Sequence, residues 1–420
     1  METNKKCKKI LRLLAYYNPE ITASTHLIED LEKACLHNGF EIDYVCPTPS
    51  RGIGKKIRKT YKKMLFEKKC QGAVRVHRFK LLSEHKNVFL RACRYLLSNI
   101  KQYNLAKRIK NIDIILAGST PPTQGLVAAF LKKKLKKPMV YILQDIFPDS
   151  LISTGIIQKK SLIYQIGRVI ENYTYKYADK IIVVNQTFYE NLVKKGVDEE
   201  KIEIVYNWID CNEVHPIEKK DNILFQELDI GREKFTVVYA GNMGTAQDIQ
   251  TIFEALRMLK GHEDIQFLLF GNHDAVEQYK KIITDMENTY LFPLQPKEKI
   301  SEVYSMGDVS IVICKKGAGG TAMPSKTWSI MATATPVLAC FDLDSELSKI
   351  LKDTKSGFVC EAGNPQKLKE TILRIYKHKK QCVEFGKNGR NFVVQNLSAD
   401  VGTKHYVDII NEVVNKYGEI

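Results

Sequence analysis

Short apolar runs alternate with longer segments whose apolar residues recur every three or four positions through the first half of the chain. The apolar runs predict buried strands at residues 10–15, 40–46, 112–118, 139–143 and 180–184. The recurring spacing predicts helices at residues 27–36, 124–134 and 161–177. Strands that are apolar throughout and separated by helices indicate a parallel sheet covered on both faces.

A polar stretch at residues 206–234 interrupts this alternation and predicts a linker between two domains. The alternation then resumes and predicts strands at residues 235–240, 265–271, 289–292, 309–314, 336–339 and 357–360. The predicted fold class is α/β, with two doubly wound Rossmann-like domains at residues 1–208 and 209–400 facing a central cleft. A helix at 401–420 is expected to pack back on the first domain. Sheets of this kind bind ligands beyond the carboxyl ends of their strands.

The positive charge of the chain is concentrated in one segment. The 420 residues carry a formal net charge of +16, and residues 51–110 contain 19 Lys and Arg residues against two acids. Basic and large apolar residues mix at helical spacing at 55–66 and 87–97, so we interpret the segment as an insertion that docks on an anionic membrane surface. A solvated basic face on ordinary helices is the alternative. The candidate contacts with membrane and acceptor are Lys55, Lys56, Arg58, Lys59, Lys62, Lys63, Arg91 and Arg94.

Other partners and sites have little support in the sequence. Zinc-finger spacing and Gly-Phe RNA motifs are missing, so nucleic acid is not an expected partner. The ten cysteines form no Cys-x-x-Cys and the nine histidines no His-Glu-x-x-His, which argues against a metal site and fits reduced thiols. The apolar segment after the basic N-terminus spans only about six residues, and no apolar run approaches the ~20 residues of a membrane helix. We therefore expect a cytoplasmic protein, bound peripherally to the inner face of the cell membrane.

A first candidate phosphate site follows the strand predicted at 235–240. A strand that ends in glycines before a helix exposes backbone N–H groups to an anion, helped by the helix dipole. Glycines at such turns also serve geometry alone, which leaves both interpretations open. The residues concerned are Gly241, Asn242, Gly244 and Gln247.

A second candidate loop runs from the strand at 309–314 to a helix that begins near Ser325. It contains Lys315, Lys316, Gly319 and Gly320, with Lys326 at the start of the helix. Glycines supply N–H donors and lysines supply point charges, a combination that suits a diphosphate. A mobile surface loop with solvated lysines is the alternative.

An ordered set of motifs extends over nearly the whole chain, at residues 17–20, 118–122, 144–149, 205–210, 239–244, 324–326, 336–339 and 385–390. Together they resemble the GT-B-fold family 4 glycosyltransferases, and most closely the fucosamine-type aminosugar transferases of bacterial O-antigen and capsule synthesis. The resemblance implies a retaining enzyme that moves a sugar from a nucleotide-sugar to a glycan acceptor linked to a polyprenyl diphosphate. It implies no metal and no other cofactor.

The resemblance also implies roles for individual residues. Lys326, with Lys315 or Lys316, is expected to balance the charge of the departing diphosphate, assisted by backbone N–H groups at 241–244 and 319–320. Asp145 is expected to orient acceptor or sugar hydroxyls, while the diphosphate takes the acceptor proton. The full set of expected donor-binding residues is Gly241, Asn242, Gly244, Gln247, Lys316, Gly319, Gly320, Thr321, Ser325 and Ser329.

The sequence departs from the family at the donor site. The glutamate pair of the family falls on Thr321 and Ser329, its phosphate-binding Arg and Lys fall on Asn242 and Gln247, and its His appears as Gln144. The sugar therefore stays open. A sugar-nucleotide epimerase and an inactive GT-B scaffold that binds membranes or polyanions remain as alternatives.

One further motif has the appearance of a metal site. Asp342 and Asp344 form an Asp-x-Asp of the kind that holds a metal in glycosyltransferases of another fold. They precede Ser345 and an amphipathic segment, which favours helix-capping or loop carboxylates instead.

Overall fold

The structure, a computed structural model, describes residues 7–22, 24–81, 88–153, 157–244, 247–319 and 323–418. Contacts divide the chain into two compact units. Unit 1 comprises Met1–Tyr206 and Gly402–Ile420, and unit 2 comprises Asn207–Val401. Each unit contains one sheet and the helices that connect its strands.

The sheet of unit 1 has eight strands, which are β1 (Lys8–Leu13), β2 (Phe40–Pro47), β3 (Phe66–Lys69), β4 (Val74–Phe79), β5 (Ile114–Gly118), β6 (Met139–Leu143), β7 (Lys180–Val183) and β8 (Ile202–Ile204). Their order is β3-β4-β2-β1-β5-β6-β7-β8, and all neighbours are parallel except β3 and β4. The first seven helices are α1 (Thr25–His37), α2 (Lys55–Tyr61), α3 (Val88–Ala106), α4 (Gln124–Leu135), α5 (Asp149–Ser153), α6 (Leu162–Tyr177) and α7 (Gln186–Lys194).

The sheet of unit 2 has six parallel strands, which are β9 (Phe235–Ala240), β10 (Ile265–Gly271), β11 (Thr289–Pro293), β12 (Val309–Ile313), β13 (Val337–Phe341) and β14 (Gly357–Glu361). Their order is β11-β10-β9-β12-β13-β14. The helices are α8 (Leu224–Glu227), α9 (Ile249–Arg257), α10 (His273–Tyr279), α11 (Ile300–Ser305), α12 (Lys326–Ala332), α13 (Glu346–Asp353), α14 (Pro365–Lys377) and α15 (Lys380–Asn396). The last helix, α16 (Ala399–Gly418), runs almost entirely within unit 1.

The predicted alternation of buried strands and amphipathic helices is confirmed. Every residue of β9, β10, β12 and β13 is buried, as expected for strands covered on both faces. The helix α1 buries Leu27, Leu31 and Cys35, which are spaced one turn apart. These patterns explain why apolar periodicity alone located both sheets.

The basic segment differs from its prediction. The helix expected over 55–66 ends at Tyr61, and β3 begins at Phe66, which pairs antiparallel with His77 of β4. Because β4 pairs in parallel with β2, the segment extends the main sheet, and its interpretation as an insertion is wrong. The apolar pattern did not reveal β3 and β4, because their sequences contain many polar residues. Alternating burial in β4 places basic side chains between buried valines.

Part of the basic charge is neutralised inside unit 1. Arg75 contacts the buried carboxylate of Asp43 at 3.1 Å, and Arg78, itself buried, contacts Glu67 at 2.7 Å. Buried or half-buried arginines in such pairs are unavailable to an external partner. The surface charge of the segment is therefore smaller than its composition suggests.

A single arginine fixes the end of α12 in unit 2. The guanidinium of Arg390 on α15 donates to the carbonyl oxygens of Ala332 at 2.6 Å, Val214 at 2.8 Å and Cys211 at 3.0 Å. Ala332 is the last residue of α12, whose first residue is Lys326. The motif at 385–390 thus holds the helix that carries the predicted catalytic lysine.

Candidate active site

The side chain of Lys326 lies against the loop that follows β9. The strands β9 and β12 are neighbours, so the loops at their carboxyl ends meet at one edge of the sheet. The Nζ atom of Lys326 is 4.2 Å from the centre of the Tyr239 ring. Gly241 has a φ of +145°, and a methyl group added there would lie 2.7 Å from Nζ. A side chain at position 241 would therefore displace the ammonium.

The electrostatic environment of Lys326 is incomplete. Its Nζ is buried and donates to no acceptor among the residues that the structure describes. Burial disfavours the charged form and lowers the pKa of Lys326 to about 8. This ammonium contacts an aromatic ring but no anion among the described residues. It has therefore lost hydration without gaining an opposite charge. This arrangement is typical of a site that an anionic ligand completes.

The loop after β9 also holds two amide side chains close to Gly244. A methyl group added at Gly244 would lie 3.4 Å from both Asn242 Nδ2 and Gln247 Oε1, so these two side chains flank the glycine. The Tyr239 hydroxyl donates to the Asn242 carbonyl at 2.6 Å, which holds the loop to the strand. Gln247 Oε1 is buried and accepts no hydrogen bond from any described residue. Asn242, Gly244 and Gln247 thus lie close to one another, and Lys326 contacts the same loop at Gly241.

The Gly241 amide does not have its predicted role. Its N–H donates to the Phe270 carbonyl at 3.0 Å and extends the pairing of β9 with β10. That N–H is consequently unavailable to a phosphate. The importance of Gly241 lies instead in the space that its missing side chain leaves for Lys326.

The loop after β12 already binds a carboxylate of the protein, which comes from the residue that follows β13. The carboxylate of Asp342 accepts hydrogen bonds from the N–H groups of Gly317 and Gly319, each at 2.9 Å. Lys316 Nζ forms an ion pair with Glu361 at 2.7 Å. The predicted diphosphate contacts of Gly319 and Lys316 are therefore occupied by the protein itself. Asp342 is a loop carboxylate, as its sequence context favours.

The remaining predicted donor residues have less defined positions. Ser325 occupies the N-cap position of α12 without a side-chain capping hydrogen bond, and Ser329 is half-buried one turn into that helix. Gly320 and Thr321 lie outside the described residues. Of the two residues that replace the family's glutamate pair, only Ser329 therefore lies in the described part of the chain.

Asp145 lies in unit 1, just after β6. The hydroxyl oxygen of Ser119 accepts hydrogen bonds from the backbone N–H groups of Gln144 at 2.9 Å and of Asp145 at 3.1 Å, which fixes the start of the loop. Partial desolvation raises the pKa of the Asp145 carboxyl, and a hydrogen bond from Ser150 at 3.2 Å opposes this shift. Asp145 is thus held in position by its hydrogen bonds and remains exposed to solvent.

The predicted membrane and acceptor contacts divide into two groups. Arg94 is only 5% exposed and donates to Ser50 Oγ at 3.1 Å, so its prediction as a membrane contact is wrong. It faces the inside of unit 1 because α3 packs on α4 and β2. Arg58 is half-buried, and the side chain of Arg91 lies outside the described residues. The predicted lysines with exposed side chains are Lys55, Lys56, Lys59, Lys62 and Lys63.

Sequence reasoning missed two residues with unusual environments. Tyr239 provides the ring next to the Lys326 ammonium, and its place directly before the glycine loop was the available signal. Glu20 is buried and accepts hydrogen bonds from the N–H groups of Ser50 and Arg51, each at 2.7 Å. Its Oε2 has no partner among the described residues, and burial raises its pKa. The motif at 17–20 contained this glutamate without indicating its burial.

Two absences concern only the described parts of the chain. Within those ranges, no group of three or more His, Cys, Asp or Glu side chains is arranged to hold a metal ion. Likewise, none of the described helices combines the length and apolar character needed to cross a bilayer.

Comparisons with known proteins agree with this architecture. Residues 25–213 match Glycosyltransferase Family 4, and residues 220–392 match Glycosyl transferases group 1. The probable glycosyltransferase WbjE of Pseudomonas aeruginosa is 24% identical over 74% of this chain and 78% of its own length. The putative colanic acid biosynthesis glycosyl transferase WcaI of Escherichia coli is 23% identical over 52% of this chain and 54% of its own.

A solved structure shares the fold. HepE from Anabaena in complex with UDP superimposes with a TM-score of 0.70 at 16% identity, covering 96% of this chain and all of that one. Both sheets, both family matches and this structural likeness agree. The chain is a glycosyltransferase of the GT-B fold, with a family 4-like domain followed by a group 1 domain.

Proposed function

We propose that this glycosyltransferase moves a sugar from a nucleotide-sugar to a lipid-linked glycan acceptor in the synthesis of a bacterial surface polysaccharide, capsule or O-antigen. The observation that carries the donor assignment is the buried ammonium of Lys326 against Gly241, which has no hydrogen-bond partner among the described residues. A nucleoside diphosphate supplies the anion that this ammonium lacks. The complex of HepE with UDP supports the same class of donor.

The proposed reaction proceeds on one face of the sugar with retention of configuration. The acceptor hydroxyl attacks the anomeric carbon as the bond to the diphosphate breaks, and the diphosphate oxygen takes the hydroxyl proton. Lys326 stabilises the negative charge that develops on the leaving diphosphate. Asn242 and Gln247 add amide groups from the loop that contacts Lys326. We assign to Asp145 of unit 1 the role of orienting the acceptor hydroxyl.

The proposal includes no metal or other cofactor. The Lys326 ammonium supplies positive charge at the leaving group, which is the role that a divalent cation has in many other transferases. A chelator such as EDTA is therefore expected to leave turnover unchanged. Loss of turnover that added Mg²⁺ or Mn²⁺ restores would contradict this part of the proposal.

We base the lipid-linked acceptor on the resemblance to fucosamine-type transferases and leave the sugar open, and a relative supports the biosynthetic pathway. The name of WcaI assigns that protein to colanic acid biosynthesis. We infer a lipid-linked acceptor and a peripheral position at the cytoplasmic face of the membrane. In support, α2 exposes lysines and Ile57, which is 45% exposed, and Phe66 at the start of β3 is 50% exposed.

A panel of nucleotide-sugars, each incubated with and without a lipid-linked acceptor and followed by mass spectrometry, tests the function. Release of nucleoside diphosphate that depends on the acceptor, with a product of unchanged anomeric configuration by NMR, is the expected result. Isomerisation of a donor without acceptor would instead identify an epimerase. Binding of a nucleoside diphosphate without turnover on any donor would identify an inactive scaffold.

The contribution of α2 is tested separately by flotation with vesicles that contain phosphatidylglycerol. Replacement of the five exposed lysines in α2 and directly after it by glutamine is expected to weaken binding, since each cation near an anionic surface contributes about 1 kcal/mol. They are Lys55, Lys56, Lys59, Lys62 and Lys63. Undiminished flotation of this variant would remove α2 from the membrane contact.

A further inference from the structure

The helix α6 exposes an apolar face that the core does not use. Leu162 is 74% exposed, Ile163 57%, Ile166 52% and Val169 68%. These aliphatic residues follow one another at helical spacing through the first two turns of α6, so they form a continuous stripe. Single exposed apolar residues are ordinary, but a stripe of four marks a surface that binds something.

The stripe continues onto the neighbouring helix. α4 packs against α6, and Phe130 of α4 is 45% exposed with its ring centre 5.5 Å from that of Tyr173 on α6. Lys133 places its ammonium 5.2 Å from the centre of the Tyr173 ring and 4.2 Å from that of Tyr177. We call the surface formed by Leu162, Ile163, Ile166, Val169 and Phe130 the α6 face.

The exposed charged side chains of α4 and α6 have one sign. Neither residues 124–137 nor residues 157–170 contain an aspartate or glutamate. The only acid within α6, Glu171, is buried and forms ion pairs with Arg168 and Lys195. The exposed lysines near the face are Lys133, Lys134, Lys136, Lys159, Lys160 and Lys176.

This combination fits an anionic bilayer. A lipid surface offers acyl chains for the aliphatic stripe and anionic headgroups for the lysines beside it. Two copies that paired through the same face would instead bring lysines opposite lysines, because a two-fold contact joins like patches. Charge complementarity therefore favours a membrane over a second copy of the chain.

The α6 face is also connected to the loop that carries Asp145. Gly167 of α6 packs so closely on this loop that an added methyl group would lie 2.9 Å from Pro148 Cβ and 3.0 Å from the Phe147 ring. The Tyr164 hydroxyl donates to Asp149 Oδ1 at 3.3 Å. A surface that holds α6 thus holds residues 144–149 as well.

We propose that the α6 face inserts into the interface of an anionic membrane and thereby presents the loop at 144–149 to the lipid-borne acceptor. This inference rests on the proposed transfer to a lipid-linked acceptor. It differs from the contact at α2, because aliphatic insertion by α6 supplies the anchoring and orientation that surface lysines alone do not.

Flotation with phosphatidylcholine vesicles, with and without phosphatidylglycerol, tests the membrane contact. The test variant combines Ile163→Gln, Ile166→Gln and Val169→Gln, and the matched control is Val383→Gln on α15, where Val383 is 61% exposed. We expect the wild type and the control to float with anionic vesicles and the triple variant to lose about tenfold or more in binding. Thermal unfolding of each variant checks that the fold is kept.

Two activity measurements separate this inference from the proposed function. The triple variant is expected to bind nucleoside diphosphate as the wild type does, and to lose transfer only to acceptor embedded in vesicles. Equal flotation of the triple variant and the wild type would overturn the α6 proposal while donor turnover still stands. A wild-type dimer in sedimentation that the triple variant abolishes would assign the face to a second copy and overturn it too. Failure of the wild type to turn over any donor would refute the proposed function, whatever the flotation result.

Discussion

Two loops in unit 2 have the same ingredients and different electrostatics. The loop after β9 and the loop after β12 both join the carboxyl end of a strand to a helix, and both bring glycines close to a lysine. In the loop after β12, Asp342 accepts the glycine N–H groups and Glu361 pairs with Lys316. Against the loop after β9 lies the ammonium of Lys326, the first residue of α12, which has no anion among the described residues. The absence of an internal counter-charge, and not the glycine content, distinguishes a ligand site.

The physical reason is that a folded chain satisfies a buried charge unless function requires otherwise. The Asp342 carboxylate accepts hydrogen bonds from two backbone N–H groups, as a bound anion would. The loop after β12 therefore has its anion without a ligand. Lys326 is held in an unfavourable state, which the fold tolerates because the rest of unit 2 stabilises it. The following experiments measure how far the two loops differ.

The largest expected effect comes from Lys326→Met, which keeps the length of the side chain and removes its charge. Turnover on the true donor is expected to fall on the order of 10² or more, as is common when one preorganised charge is lost from the transition state. Nucleoside diphosphate affinity, measured by calorimetry, should fall as well. The same variant should be more stable to denaturant at neutral pH, by about 3 kcal/mol, because a lysine with a pKa near 8 pays for its burial.

Those paired measurements have a built-in control. Replacement of a merely structural lysine would reduce stability and activity together. Replacement of a ligand-binding lysine reduces activity and increases stability. Unchanged turnover of Lys326→Met would remove Lys326 from the mechanism and with it the distinction between the loops.

The second effect is a dependence of donor binding on pH. With a pKa of about 8, Lys326 of the free protein is mostly charged at pH 7 and mostly neutral at pH 9. Nucleoside diphosphate affinity is expected to fall about tenfold over this range, since only the ammonium attracts the phosphates. Unfolded lysine keeps its proton to higher pH, so the unfolded state binds more protons above pH 8, and this group makes stability rise as pH increases through that range.

Calorimetry in buffers of different ionisation enthalpy measures the proton uptake directly. At pH 8 the wild type should take up a fraction of a proton on binding, and Lys326→Met should show a flat profile. Proton uptake that persists in Lys326→Met would assign the titration to another group.

A smaller effect is expected from Asp342→Asn, which removes the negative charge that the loop after β12 binds. In the variant, the N–H groups of Gly317 and Gly319 no longer have a charged acceptor. A hydrogen bond to a charged group contributes about 1.5–3 kcal/mol to stability. Unfolding should therefore occur at lower denaturant concentration, while donor affinity changes by less than about threefold. A loss of activity as large as that of Lys326→Met would make the two loops equivalent.

The sequence was sufficient for elements whose pattern is strong. Continuous apolar strands such as β9 and β12, and the motif that contains Lys326, were predicted correctly in position. The edge strand β3 was missed because its residues are exposed or half-buried, so no apolar run marked it. Arg94 was misassigned since a basic residue at helical spacing can face either solvent or a buried hydroxyl. Asp342, which accepts the hydrogen bond from the Gly319 N–H, lies 23 residues further along the chain. A local sequence pattern does not predict such a contact.

The smallest expected effect belongs to Lys316→Met. Lys316 and Glu361 are both exposed, and an exposed ion pair in water contributes little to stability because solvent screens it. The ammonium is also already paired, so it adds little to the field at a bound diphosphate. Turnover and donor affinity should change by less than about twofold, in contrast to the loss from the same substitution at Lys326. A large loss of affinity in Lys316→Met would mean that the ion pair opens when the donor binds, and the two loops would then act together on the diphosphate.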